Sequence, residues 1–435
     1  MSSTTIAQTR HAVPEVDGLF RVNVRSIWQF LLKQPLSFWF INAYLFLEYV
    51  RPQSIWRSLA FLPWGQVAIL GTLLALIFEG KMLRPRTIGA GLLFAFTGVV
   101  ILSSVFAIRP SVSWAAWEAY YPWVLIFLLI TNTVTTERRF FIFTLAFLLY
   151  SFKMSQHGFR TWASRGFAFA GWGVTGAPGW FQNSGEMGIQ MCVFLPLCVE
   201  FILGLRKHWG RWTRVFFYSI PVTIVGSIVA TSSRGALIGA GCVALWWVIR
   251  SKQRVRALIA VAALGLLTWT VVPEEQKARF STAGSDNTSI SRLDRWEAGI
   301  EMANERPIFG IGYANWLTYY GPLSHNIFIE ALAELGYTGL LVFLGMIGAT
   351  FWLNARTRRI VKRLPTETRF LHHMAHGLDG ALIGFMGSGF FVTVLYYPFF
   401  WINLAMTVSL NVAAEHEYRR QRNLALRLAG ASVAR

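Results

Sequence analysis

A helix that crosses a bilayer needs about 20 mostly apolar residues, and this chain carries twelve such candidate runs. They are 36–50, 64–79, 88–107, 119–135, 140–156, 186–205, 215–232, 235–250, 257–273, 326–354, 378–396 and 398–414. The first and last are short enough for a tilted or re-entrant element. Hydrophobic residues make up 54% and charged residues 14%, against about 25% charge in a soluble domain. That much apolar surface cannot be covered in one or two soluble domains, and it excludes a disordered chain. The expected fold class is an all-α polytopic membrane protein of about twelve transmembrane helices. One domain is expected over 36–414, between an N-terminal segment (1–35) and a basic tail (415–435). No internal repeat or low-complexity segment interrupts it. The N-terminal stretch lacks the basic, apolar and small-residue pattern of a cleavable signal peptide.

The net charge is +19. In a soluble protein that would suggest nucleic acid, but no nucleic-acid motif accompanies it. In a membrane protein it reports topology, because Lys and Arg concentrate on the cytoplasmic side. With the N-terminus inside and sides alternating, the inner segments are 1–35, 80–87, 136–139, 206–214, 251–256, 355–377 and 415–435. Counting Arg250 at a boundary, they hold 28 of the 40 lysines and arginines. Both termini are therefore expected in the cytoplasm. Cys192, Cys198 and Cys242 fall inside apolar runs and are expected to stay unpaired. Trp and Tyr crowd the run ends as an interfacial belt.

Two segments are long on the opposite side. The first, 157–185, is rich in Gly and aromatics and holds Arg160 and Arg165. The second, 274–325, contains S-R-L-D-R-W-E-A-G-I-E-M-A-N-E-R-P from Ser291. Its spacing predicts an amphipathic helix lying on the membrane surface, with Leu293, Trp296, Ile300 and Ala303 on one face. Ser291 is placed to cap it, with Asp294 three residues on. Arg292 and Arg295 then share one side. Arg234 sits in a tight turn between two runs, and His325 directly precedes the tenth. An arginine at the bilayer boundary is costly unless paired or functional, and its fork of donors matches phosphate oxygens. Histidine is the usual proton carrier near neutral pH. Each residue has a plainer alternative. Arg234 could snorkel, Arg292 and Arg295 could pair with Asp294, Glu297 or Glu301, and His325 could merely neighbour a capping Ser324 or Asn326. Their gathering on one side is what favours a site.

Acidic residues offer less. Asp286, Asp294, Glu297, Glu301 and Glu305 interleave with arginines, which suggests ion pairing. Glu186, Glu330 and Glu334 lie in or at membrane helices; Glu330 could orient His325 only if the helix start curls back. His372, His373 and His376 have the spacing of a metal pair, but only Asp379 stands near in sequence and they fall in the basic inner loop, so no metal is expected. Asn287-Thr288-Ser289 fits a glycosylation sequon.

Three stretches, in order, resemble the superfamily of O-antigen ligases and O-antigen polymerases, bacterial inner-membrane glycosyltransferases. T-S-S-R-G-A-L-I-G-A (231–240) is similar to its arginine turn. S-R-L-D-R-W through F-G-I-G-Y-A-N-W (291–316) is similar to its R-x-x-x-W and P-x-x-G-x-G stretch. S-H-N-I-F-I-E-A-L-A-E-L-G-Y-T-G-L-L-V-F-L (324–344) is similar to its H-N signature. W-F-Q-N-S-G-E-M-G (180–188) resembles an upstream helix entry, with Gly185 to Gly188 in place of the usual small-apolar run. The match covers about 190–350.

The resemblance implies a periplasm-facing active site without metal or cofactor. The donor would be a glycan on undecaprenyl diphosphate, and the acceptor a hydroxyl of the lipid A–core of lipopolysaccharide, within a setting of membrane lipids. Arg234 would hold the diphosphate with Arg295 or Arg292, Arg295 being favoured because Trp296 follows it. His325 would be the base, kept neutral by nearby arginines, and the anomeric centre would invert. Arg160, Arg165, Asn183 and Asn326 are the further substrate contacts expected. The alternatives are an O-antigen or exopolysaccharide polymerase, a protein O-oligosaccharyltransferase, and a bicarbonate-type transporter, which would call for inverted repeats that the chain does not show.

Overall fold

Without water in the bilayer core, each backbone N–H and C=O must bond within the protein, so apolar runs become helices. The computed structural model describes residues 17–168, 173–271, 277, 287–364 and 369–433. Its main helices are α1 (Val24–Leu32), α2 (Leu36–Tyr49), α3 (Trp64–Phe78), α4 (Thr87–Val105), α5 (Tyr121–Thr133), α6 (Glu137–Ser164) and α7 (Ser184–Leu205). Then come α8 (Arg211–Ala230), α9 (Arg234–Arg250), α10 (Arg254–Val271), α11 (Asn287–Glu305), α12 (Ile327–Val361), α13 (Phe370–Gly389) and α14 (Pro398–Val433). Each of the twelve apolar runs lies wholly or largely in one of them. No strand occurs among the described residues. Among the described residues five stretches are long and apolar enough to cross a membrane: 87–105, 110–133, 184–208, 211–230 and 327–361. The chain is an all-α polytopic membrane protein.

Helices in lipid gain little from the hydrophobic effect, so small residues must let them approach closely. α13 lays Gly377, Gly380 and Gly384 against α7. A Cβ at Gly384 would fall 2.6 Å from the Cys192 carbonyl, and one at Gly380 would fall 2.7 Å from Pro196. α9 uses Gly239 in the same way against Ser388. α7 is buried along most of its length and forms the centre. Among the described residues all three cysteines are free thiols.

The chain departs from its apolar pattern in three places. The short run 398–414 is not re-entrant; it is the first part of a 36-residue helix. α13 begins eight residues before its run and stops at Gly389, leaving 390–397 as a non-helical crossover. Pro398 holds the residue before it out of the helical region, and side chains take over the backbone bonds that a helix would have made. Glu330 accepts from the Leu395 N–H at 3.2 Å, Trp123 Nε1 donates to the Tyr396 carbonyl at 2.7 Å, and Trp401 Nε1 donates to Leu395 at 3.1 Å.

The third departure is α11, which starts at Asn287, so Ser291 is not its cap. Asp286 lies outside the described residues. α11 buries Gly299, Met302 and Ala303, with Trp296 half-buried, while Leu293 and Ile300 are exposed on the far side. The stripe read from the sequence therefore turns away by about one position.

α12 is broken at Gly336, whose φ of 70° and ψ of −173° lie in a region open to glycine almost alone. The Pro307 and Ile308 carbonyls stand 2.6 Å from where a Cβ would be, and Tyr337 N–H donates to Pro307 at 2.8 Å. Gly336→Ala is expected to cost about 1–3 kcal/mol from the backbone alone, more with the clash. Thermal unfolding in detergent should show a clearly lowered midpoint; an unchanged midpoint would overturn this account of the break.

Candidate functional site

Three helices begin beside the crossover. Asn183 caps α7: its Oδ1 accepts from Gly185 N–H at 2.8 Å, and its own N–H donates to Glu186 at 3.0 Å. This is the reciprocal capping arrangement expected of such a pair. Ser233 caps α9, accepting from Ala236 N–H at 3.3 Å, after Ser232 turns the chain at φ 54°. Asn326 caps α12, accepting from Phe328 and Ile329 at 2.9 and 3.2 Å.

Consecutive crossover residues touch each start. A Cβ at Gly235 would lie 3.0 Å from Phe391, and one at Gly185 would lie 3.3 Å from Val392. The His325 N–H donates to Thr393 Oγ1 at 2.8 Å. Half-buried Arg234, the first residue of α9, and His325 are thus brought to one short segment. Each helix N-terminus carries about half a positive charge. Glu186 and Glu330 answer it in the first turns of α7 and α12, while the start of α9 has no acidic residue in its first turn and favours an anion.

His325 has a left-handed backbone, φ 51°. The segment entering it is clamped from α11. Arg295 donates to the Leu323 carbonyl at 3.1 Å and to Ser291 Oγ at 3.2 Å, and Trp296 Nε1 donates to the Ser324 carbonyl at 3.0 Å. Trp296 also packs edge-on against Phe390. Burial draws the His325 imidazole down to about 4, and the Arg292 and Arg295 charges push the same way. The ring is neutral at pH 7 and can accept a proton.

Glu334 is the polar node beneath this site. It accepts from Ala314 N–H at 3.0 Å, Trp316 N–H at 3.3 Å and Tyr396 hydroxyl at 3.2 Å. Glu330 bonds Leu395, two residues from Thr393, so it supports His325 through the crossover instead of orienting the ring. Thr393 escaped the sequence reading because 378–396 reads as one helix; V-T-V-L-Y-Y-P, with its β-branched residues and proline, was the available signal.

The remaining expectations divide. Arg160 and Arg165 are exposed at the end of α6, away from the crossover contacts. Asn183 and Asn326 serve as caps. His373 Nδ1 lies 2.7 Å from Glu200, which also pairs with Arg250 at 2.8 Å, so a second carboxylate joins Asp379 near the histidines. Arg358 and Asn354 hold Asp379. Among the described residues no cluster of His, Cys, Asp or Glu could hold a metal ion.

Residues 219–344, which include Arg234, Arg292, Arg295, His325 and Glu334, match the family model described as O-antigen ligase. The exopolysaccharide production protein ExoQ of Rhizobium meliloti is 22% identical over 342 residues, covering 67% of this chain and 70% of that protein. An O-antigen ligase of Pseudomonas aeruginosa is 24% identical over 333 residues, covering 71% and 75%. A solved chain of a peptidoglycan synthase complex aligns with a TM-score of 0.39 at 18% identity, covering 74% of this chain and 96% of that one.

Two substitutions test the electrostatics. Arg292→Gln removes a like charge and should raise the His325 pKa from about 4; Thr393→Val should raise it by loosening the turn, while Thr393→Ser should not. Carbon-13 NMR of histidine-labelled protein reads the titration, and an unmoved His325 in both variants would refute the arrangement.

Proposed function

We propose that this chain, which belongs to the O-antigen ligase superfamily through its segment 219–344, is an O-antigen ligase. Members of that family are glycosyltransferase-type enzymes, and this one is a bacterial membrane protein. The donor is a glycan on undecaprenyl diphosphate and the acceptor a hydroxyl of lipid A–core. The reaction faces the periplasm from the inner membrane, with both termini in the cytoplasm. The observation that carries the proposal is the neutral His325, set among Arg292 and Arg295 where the starts of three helices converge.

His325 takes the proton of the attacking hydroxyl. That oxygen bonds to the anomeric carbon as the carbon–oxygen bond to the diphosphate breaks. Undecaprenyl diphosphate leaves with the electron pair, and the configuration inverts. Arg234, the helix ends and Arg295 or Arg292 stabilise the leaving charge in place before the reaction begins. Arg295, favoured by the sequence, also donates to Leu323 and Ser291, which holds the segment entering His325. The sugar–diphosphate bond supplies the activation, so the scheme needs neither metal nor cofactor.

The likeness to ExoQ favours a second reading, in which the acceptor is a growing glycan and the enzyme a polymerase. Deleting the gene and separating surface glycans on a gel distinguishes them. Lipopolysaccharide lacking long chains, with lipid-linked polymer accumulating, supports ligation; single-repeat capping, or lost exopolysaccharide beside normal lipopolysaccharide, supports polymerisation; finding both glycans unchanged removes both readings in favour of a protein acceptor or transport. In a reconstituted assay, His325→Ala and Arg234→Ala should each lower transfer by about a hundredfold or more; normal transfer by both refutes the mechanism.

The neutral ring is the active form, so kcat/KM should fall only as pH drops toward about 4. An acid limb at the ordinary histidine value near 6.5 would refute the assignment.

A further inference from the structure

Outside the His325 cluster, α6 carries a basic face that the mechanism does not use. Lys153, His157 and Arg160 follow one another at helical spacing, on one side of the helix, and all three are exposed with Gln156 between them. No acidic residue occurs between Glu137 and Glu186, so α6 offers this face no partner of its own beyond its first turn. Lys153 donates to the Val50 carbonyl at 3.1 Å, at the end of α2. Arg51, the next residue, adds its guanidinium, which lies directly beneath Gly179; Glu48 faces Arg51 from α2.

Two plainer explanations fail to cover the stripe. Basic residues complement a helix C-terminus only within its last turn, and Lys153 stands well before the end of α6 at Ser164. The positive-inside rule places Lys and Arg at the other membrane face, so it does not call for cations at this end.

The loop 173–183 runs between the stripe and the His325 site. Val174 N–H donates to the Ala230 carbonyl at 3.0 Å, and Gly173 packs on Thr231, which leads into the Arg234 turn. Gly176 N–H donates to Phe181 at 2.7 Å. Gly179, at φ 98°, covers Arg51, and Asn183 then caps α7 beside Val392. One short strap therefore touches the Arg234 turn at its start, Arg51 near its middle and the crossover at its end.

We infer that Lys153, His157 and Arg160, with Arg51 at their edge, bind the phosphate groups of the glycolipid acceptor and hold its hydroxyl toward His325 across the 173–183 strap. The arginine fork and the lysine ammonium both suit phosphate oxygens, and the cations at an exposed site make the interaction sensitive to salt. The inference rests on the proposed transferase reading for the direction in which the acceptor approaches. It separates donor and acceptor recognition: the diphosphate at the helix starts, the acceptor phosphates at the stripe.

The test uses the full chain in detergent with purified lipid A–core, native or dephosphorylated with hydrofluoric acid. Binding is measured by calorimetry, independently of transfer, so the inference can fail while the transferase reading stands, and the reverse. The wild-type protein should prefer the native acceptor by about tenfold or more, with the preference shrinking as salt rises. In Lys153→Gln/Arg160→Gln that preference should fall to near one, in binding and in kcat/KM alike. A preference that survives the double substitution overturns the inference. Phosphatidylglycerol vesicles provide the second arm: if the variant loses affinity for these alone and keeps its acceptor preference, the stripe is a site for lipid headgroups and the acceptor assignment is wrong. Circular dichroism and Arg160→Lys, which keeps the charge and should keep the preference, separate charge loss from misfolding.

Discussion

The architecture depends on the satisfaction of backbone hydrogen bonds along a stretch that is not helical. A chain buried in hydrocarbon has no water with which to pair an open N–H or C=O. The crossover 390–397 solves this with side chains: Glu330, Trp123 and Trp401 each bond to its backbone, while its own Thr393 accepts from the His325 N–H. Once so held, it can pass the starts of α7, α9 and α12 in turn, which a continuing helix could not do. The site follows from that passage. Glu334 extends the same device to the Ala314–Trp316 loop, so the segment before His325 and the segment beside it hang from one carboxylate.

The apolar runs were legible because their length answers to a single physical demand, and each reappears wholly or largely within a helix. The three motifs carrying Arg234, Arg292, Arg295 and His325 were legible by composition and order. Less visible was the division of labour among them. That Arg295 spends its fork on Leu323 depends on a contact across 28 residues, which no local spacing encodes. The stripe of α11 was misread because Leu293 and Ile300 are apolar yet face outward, while Gly299 and Ala303 are buried for their smallness. In a membrane protein apolar character marks lipid as readily as core. Thr393 was hidden for a related reason: one hydroxyl in an apolar run looks like a helix residue, and only the proline downstream hints that the helix has already ended.

On the proposed reading, the similarity to both an O-antigen ligase and an exopolysaccharide production protein is what a donor-facing site would give, with Arg234, the helix starts and His325 suited to any lipid-linked glycan diphosphate. On the same reading, what would separate one member from another is the acceptor side, which the inference above puts at the long α6 and the glycine-rich strap. The central, motif-bearing half is packed by glycines that permit little change, whereas the outer end of α6 is free to vary in charge without disturbing that packing.

The backbone of His325 has one more consequence. A side chain with a branch at Cβ cannot occupy a left-handed φ without strain, and even histidine pays some conformational cost there. Asparagine or glycine would fit that turn with less distortion. On the proposed mechanism, local stability and proton transfer therefore pull in opposite directions at this position, and the fold would tolerate the loss of the imidazole better than the chemistry would. If His325 is the base proposed above, the chemistry and not the fold is the reason for a histidine in a turn that suits something smaller.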